Sequence, residues 1–259
     1  MLTKNYIINS PDGEIFAKQW TPDKLNSDNP IVLLHDSLGS TEQWRDFPEK
    51  LAQHIGRHVI AYDRLGFGKS TPRLDTLSKD FIKQEAQQYF PIVKHFFKLS
   101  NYILLGHSVG GGMALTIASL DKQCLGVISM SAQAFIEKKT LQGIQTAQRF
   151  FQDSKQMKRL EKWHDTKAKW VLDAWVNTWL SEDFLHWSLS DCIDKVSCPT
   201  LVIHGENDEY GSIAFAEFIS SKSTGSSTQI IIQNCGHVPH KEYPQKVLDE
   251  SFSFCSDLD

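Results

Sequence analysis

The feature that most constrains the fold is an alternation of short, unbroken apolar runs with stretches of helical periodicity. The runs are "PIVLLH" from Pro30, "RHVIAYD" from Arg57, "NYILLG" from Asn101, "CLGVISM" from Cys124, "PTLVIHG" from Pro199 and "TQIIIQN" from Thr228. Such runs, lacking polar residues at every second position, suit strands covered on both faces. Helical stretches are predicted around Thr41 to His54, from about Lys79 to Lys98, from Val109, near Ala214 and from about Pro244. Strands alternating with helices need right-handed crossovers, which give an α/β fold with a mostly parallel central sheet flanked by helices. Before the first run, "NYIINS" and "GEIFAKQW" flank the turn signal "PDG" and predict an opening hairpin.

The alternation stops near Ala134 and resumes at Pro199. Residues 135–191 read as almost wholly helical and hold five of the seven tryptophans: Trp163, Trp170, Trp175, Trp179 and Trp187. The expected organisation is therefore a core from residues 1–134 and 192–259 with a helical cap, or lid, inserted at 135–191. An insertion between two strands of such a sheet sits over its C-terminal edge, where open α/β folds bind ligands. Individually these tryptophans are packing residues. Together they suggest an apolar ceiling over a pocket.

Composition narrows the function classes. A formal net charge of −4 with scattered Lys and Arg gives no basic footprint for nucleic acid. The N-terminal residues lack the apolar core of a signal peptide, and no run approaches the length of a bilayer span. Five cysteines (Cys124, Cys192, Cys198, Cys235, Cys255) form no CxxC pair. Reduced thiols and a cytoplasmic location are the expectation.

Ser108 stands in Gly106-His107-Ser108-Val109-Gly110, a GxSxG pattern with an apolar strand before it and a helix after it. A sharp strand-to-helix turn strains the serine backbone, so its neighbours must be small for the turn to close. The hydroxyl then projects at the sheet edge beside a helix N-terminus, whose free N–H groups favour negative charge. A serine hydroxyl needs a base to take its proton. Of ten histidines, His237 follows the last strand-like run; His240, one helical turn further on, is expected to leave the strand edge. The base needs an acid to fix its tautomer. "LVIHGENDEYG" offers Glu206, Asp208 and Glu209, and Asp208, three residues beyond Gly205, is placed to turn back toward the edge.

The order Ser108…Asp208…His237 resembles that of the α/β-hydrolases, in their capped serine esterase and lactonase branch, over essentially the whole chain. "HDSLGSTEQW" resembles the His-Gly-x oxyanion loop after the third strand. "YDRLGFGKS" resembles the Asp-x-x-Gly-x-Gly-x-Ser turn after the fourth. The resemblance implies an oxyanion hole from the backbone N–H groups of Ser37 and Val109, with His35 organising the loop. One departure is that Asp36 stands where the family has glycine. Either its carboxylate points away from the oxyanion site or the loop differs from the family pattern.

What the resemblance implies is hydrolysis of a carboxylic ester or lactone through an acyl-enzyme, without cofactor or metal. An N-acyl homoserine lactone or a medium-chain acyl ester is a candidate small-molecule substrate. The same constellation serves C–C bond hydrolases of dienoic ketoacids, cofactor-free perhydrolases and hydrolase-fold small-molecule receptors. A C–C hydrolase needs a cation for the substrate acid, and Arg149 and Arg159 are the arginines of the insertion. Two other motifs are set aside. "GFGKS" ends like a P-loop, but Asp63 occupies the position of its first glycine and Pro72 follows. "HVPH" and the pair His54 and His58 do not form an HExxH helix, and Gly56 interrupts the latter. Oligomeric state has no signature in the sequence.

Overall fold

The computed structural model describes residues 1–258. Its eight strands form one sheet in the order β1-β2-β4-β3-β5-β6-β7-β8. The opening hairpin pairs β1 (Leu2–Ser10) with β2 (Gly13–Thr21) across Pro11 and Asp12, and β2 runs antiparallel to β4. From β4 to β8 every neighbouring pair is parallel. These strands are β3 (Ile31–Leu34), β4 (Val59–Tyr62), β5 (Tyr102–His107), β6 (Cys124–Met130), β7 (Thr200–Gly205) and β8 (Ser227–Ile232).

The unbroken apolar runs are explained by two cores, one on each face of the sheet, except in the edge strand β8, which is only partly buried. In β3, Val32 and Leu34 face one core while Ile31 and Leu33 face the other; β5 divides in the same way, Leu104 against Ile103 and Leu105. Each such side chain contributes about 1.5–3 kcal/mol on full burial. Helices α1 (Phe47–Ile55) and α10 (Pro244–Ser256) cover one face. The other is covered by α2 (Phe81–Gln84), α3 (Phe90–Phe96), α4 (Val109–Leu120) and α8 (Ala214–Lys222). In α4 every residue from Val109 to Ser119 is buried, so this helix is enclosed rather than amphipathic.

The single helix predicted from Lys79 to Lys98 is three pieces: α2, a π-helical turn Glu85–Tyr89, and α3. Pro91 supplies the cause. It has no N–H to return to Gln87, and its ring would crowd that carbonyl, so the preceding turn widens. The "GFGKS" segment also behaves as a turn. Gly66 and Gly68 have φ of +90° and +47°, no helix follows before Phe81, and a Cβ on Gly68 would lie 2.0 Å from Asp63 Oδ2. Asp63 receives the N–H groups of Thr41 (2.5 Å) and Lys69 (2.7 Å), tying the loops after β3 and β4 together.

Between β6 and β7 lie α5 (Lys138–Phe150), α6 (Ser154–His164) and α7 (Ala168–Trp179), followed by short 3-10 turns. These helices dock on the same two loops. His164 accepts the Gly68 N–H at Nδ1 (2.9 Å) and donates from Nε2 to the Leu38 carbonyl (2.8 Å). The Lys167 ammonium donates to the carbonyls of Gly68 and Ser70, each at 2.6 Å. The Trp170 ring covers Gly66, where a Cβ would come within 2.3 Å of it. No helix among the described residues is long and apolar enough to cross a membrane.

Candidate active site

Ser108 occupies the step from β5 into α4, with φ 57° and ψ −127°. A left-handed φ on a non-glycine residue costs about 1–3 kcal/mol and persists only where the surroundings impose it. Here they do. The Ser108 N–H is held by the Met130 carbonyl at 2.8 Å. A Cβ on Gly106 would meet the Gly110 carbonyl oxygen at 2.1 Å, and a Cβ on Gly110 would meet that of Leu34 at the same distance. Both glycines are therefore required for β3, β5 and α4 to converge, and their convergence exposes the serine side chain to a cavity above the sheet edge. The Ser108 hydroxyl lies 3.4 Å from Gln133 Oε1, its hydrogen-bond acceptor.

Asp208, on the loop after β7, is 1% exposed. Its two carboxylate oxygens lie 2.9 and 2.8 Å from His237 Nδ1. One of them also accepts the Tyr210 N–H at 2.8 Å. Burial would raise the Asp208 carboxyl, yet the neighbouring His237 and His204 and the Tyr210 N–H hold it below its ordinary range. For His237 burial disfavours the charged ring, but Asp208, Glu209 and Asp36 outweigh it and raise its pKa. With Nδ1–H donated to Asp208, the basic nitrogen of neutral His237 is Nε2.

The loop carrying His237 is held by carboxylates that contiguity along the chain did not reveal. Glu209 accepts the His237 N–H (3.2 Å), Glu206 that of Asn234 (3.1 Å), and Glu242 those of Gly236 (2.7 Å) and Val238 (3.1 Å). Glu206 and Glu209 thus face the His237 loop rather than solvent alone. Gln133 and Tyr210 are further wall residues the sequence reading missed. Gln133 had a positional signal, since it lies just beyond the C-terminal end of β6, the same sheet edge as Ser108.

Ser108, His237, Gln133, Ser37 and Asp36 line one cavity of about 250 Å³, closed by Thr140 and Ile144 of α5 and Trp175 and Trp179 of α7. Of the five tryptophans singled out in the insertion, these two reach the cavity. Trp170 packs on Phe67 and Trp187 stacks on Phe184, as ordinary packing residues. Arg149 and Arg159 stay exposed and bond within their own helices, to Thr146 and Gln156. The cationic side chain on the cavity wall is Lys241.

The loop after β3 carries His35, Asp36 and Ser37. His35 donates from Nδ1 to the Asp36 carbonyl (2.8 Å) and accepts the Arg64 N–H at Nε2 (3.2 Å). Burial and the Arg64 charge lower its pKa well below the ordinary histidine value, so the ring is a neutral brace. The Asp36 carboxylate turns to the Leu38 N–H (2.8 Å) and to His107 Nδ1 (3.3 Å). The N–H groups of Ser37, on the cavity wall, and of Val109, in the first turn of α4, meet no acceptor among the described residues. His240 is buried rather than carried away from the edge, its ring 4.7 Å from Trp44 and 4.9 Å from His107. His54 pairs with Asp249 and His58 with Thr21. No group of three or more His, Cys, Asp or Glu side chains among the described residues could hold a metal ion.

Residues 29–160 match the family model described as the alpha/beta hydrolase fold. A 2-hydroxy-6-oxo-6-(2'-aminophenyl)hexa-2,4-dienoic acid hydrolase of Metapseudomonas resinovorans is 24% identical, over 88% of this chain and 84% of its own. A proline iminopeptidase of Lactobacillus crispatus is also 24% identical, over 82% and 85%. An esterase from Exiguobacterium antarcticum superposes with a TM-score of 0.76 at 20% identity, over 97% of this chain and 99% of its own; at that identity the likeness is one of fold.

Proposed function

Because this chain belongs to the α/β-hydrolase fold family, we propose that it is a serine hydrolase of small carboxylic esters or lactones, working through an acyl-enzyme. The observation that carries the reading is one cavity lined both by Ser108, held in a strained backbone, and by a histidine whose Nδ1 is engaged by a buried aspartate. Ser108 Oγ attacks the substrate carbonyl as His237 Nε2 takes its proton, and Asp208 stabilises the imidazolium. The tetrahedral oxyanion rests on the N–H groups of Ser37 and Val109, which are free to receive it. His237 then gives the proton to the leaving alcohol. A water, deprotonated by the same nitrogen, releases the acid and restores Ser108.

The cavity supports a compact substrate. Its volume of about 250 Å³ is below the ~300–1,000 Å³ usual for drug-sized ligands, and Ile144, Trp175 and Trp179 give it an apolar side. Residues 135–191 serve in this reading as a cap that bounds the acyl site. A series of p-nitrophenyl esters should therefore show the highest kcat/KM at acyl chains of about four to eight carbons. Steady turnover that keeps rising through long-chain esters would contradict the bounded site. Butyrolactones and acyl homoserine lactones of matching length belong in the same assay.

Activity should follow the protonation of His237. Its pKa is raised, so the inactive imidazolium persists to higher pH than in an ordinary histidine, and kcat/KM should fall on the acid side with a midpoint above ~6.5. A kcat/KM that does not fall on the acid side at all would remove His237 from the role of base.

C–C bond hydrolysis is the second reading, supported by the dienoic acid hydrolase relative and by Lys241, a cation on the cavity wall. The exposed positions of Arg149 and Arg159 and the carboxylates Asp36 and Glu209 on that wall weigh against an anionic substrate. Turnover of a dienoic ketoacid faster than any ester would reverse the order. A perhydrolase would oxidise a halide indicator with peroxide and acetate. A receptor would bind without turnover.

A further inference from the structure

His107, the last residue of β5 and the neighbour of Ser108, is 2% exposed, yet both of its ring nitrogens face oxygen acceptors. Nε2 lies 2.8 Å from the backbone carbonyl of His237, and Nδ1 lies 3.3 Å from Asp36 Oδ2. A neutral imidazole has one donor and one acceptor nitrogen, so against two acceptors it would turn a lone pair onto an oxygen. The other oxygen of Asp36 already receives the Leu38 N–H at 2.8 Å. We propose that Asp36 and His107 form a buried carboxylate–imidazolium pair, and that His107, charged and donating from both nitrogens, is a positioning residue locking the His237 loop to the β3 loop.

The remaining groups around the pair are consistent with a charged ring. Burial would raise the Asp36 carboxyl, but the His107 bond and the positive charge of His107 and Lys241 hold it well below the usual carboxylate range. It is the acceptor, not the proton donor, of the pair. The ring of His107 is faced by His237 at 5.0 Å, His240 at 4.9 Å and Trp44 at 6.4 Å. His240 is pushed well below the ordinary histidine value by burial and by the charges of His107 and Lys241, so it adds no competing proton.

The consequence reaches three loops. Asp36 belongs to the loop that carries Ser37, His107 precedes Ser108, and the bonded carbonyl is that of His237 itself. One ion pair thus spans the proposed oxyanion donor, nucleophile and base. A glycine at position 36 could not make it. The pair rests on the serine-hydrolase reading only for its effect on turnover; its charge state stands independently of that reading.

The test is 15N NMR of the imidazole nitrogens in the full-length protein near pH 7.5, with His107 assigned by its loss in His107→Gln. Both nitrogens should resonate as protonated, donor nitrogens. One unprotonated nitrogen in the wild-type protein would overturn the proposal, whatever the activity. In Asp36→Asn, His107 should become neutral and kcat toward a p-nitrophenyl ester should fall on the order of ten- to a hundredfold with KM little changed, as expected of a misplaced base. A neutral His107 in Asp36→Asn with unchanged kcat would refute the positioning role. If Ser108→Ala leaves turnover intact while His107 is doubly protonated, the catalytic reading fails and the ion pair survives.

Discussion

Replacing Ser108 by alanine should abolish ester turnover and covalent labelling by a fluorophosphonate, while leaving the fold intact. The expected loss in kcat is on the order of 10⁴- to 10⁶-fold, because without the nucleophile only positioning and the oxyanion donors act on the substrate. His237→Ala should lose nearly as much, since the hydroxyl then has no base. Asp208→Asn should lose about 10⁴-fold, as an amide can no longer hold the Nδ1–H tautomer. These effects should not add, because the three side chains act as one unit. Labelling of wild-type protein with no loss in Ser108→Ala would place the reactive group elsewhere. Side-chain truncation here relieves no packing, and alanine keeps the strained backbone, so circular dichroism and Tm of Ser108→Ala should match the wild type.

The second large effect is on folding. Gly106→Ala puts a Cβ 2.1 Å from the Gly110 carbonyl oxygen, a backbone atom fixed at the start of α4. Neither partner can rotate away, so β5 and α4 must separate where the sheet is most enclosed. The cost should exceed about 3 kcal/mol, roughly 10 °C in Tm for a chain of this size. Gly112→Ala is the matched control on the same helix. The nearest atoms to its Cβ lie at 3.9 Å, and alanine improves helix propensity by up to about 1 kcal/mol. It should be neutral or stabilising by thermal melting. Equal Tm losses in the two variants would show that the glycines of this turn are not distinguished by backbone crowding.

The site was legible to different depths. Ser108, Asp208 and His237 could be picked from the sequence because each lies within five residues of the end of an apolar run, and parallel strands bring their C-terminal ends to one edge. The loop of Ser37 came instead from its resemblance to the family's oxyanion loop. The strand-end logic failed for His240, which was expected to leave the edge. Helix α9 (Pro239–Glu242) instead turns back against Trp44 and Phe47, an approach set by packing between distant segments. It also missed Glu209 and Glu242 as braces of the His237 loop. Their partners are backbone N–H groups, which leave no trace in side-chain identity. The long helix was expected to run unbroken, and the π-helical turn before Pro91 went unread although the missing N–H is a local property.

By itself, then, the sequence determined the parallel sheet, the helical insertion and which residues gather at the sheet edge. These follow from periodicity and strand direction, which are local properties of the chain. Only the tertiary structure decided the shape of the cavity, the pair of tryptophans that reach it and the direction of Arg149 and Arg159. It alone gave Asp36 a partner, 71 residues away in the chain. Such choices depend on side-chain packing and hydrogen bonding between segments far apart in sequence. There a few tenths of an ångström separate a bonded carboxylate from a free one, and no local pattern encodes that distance.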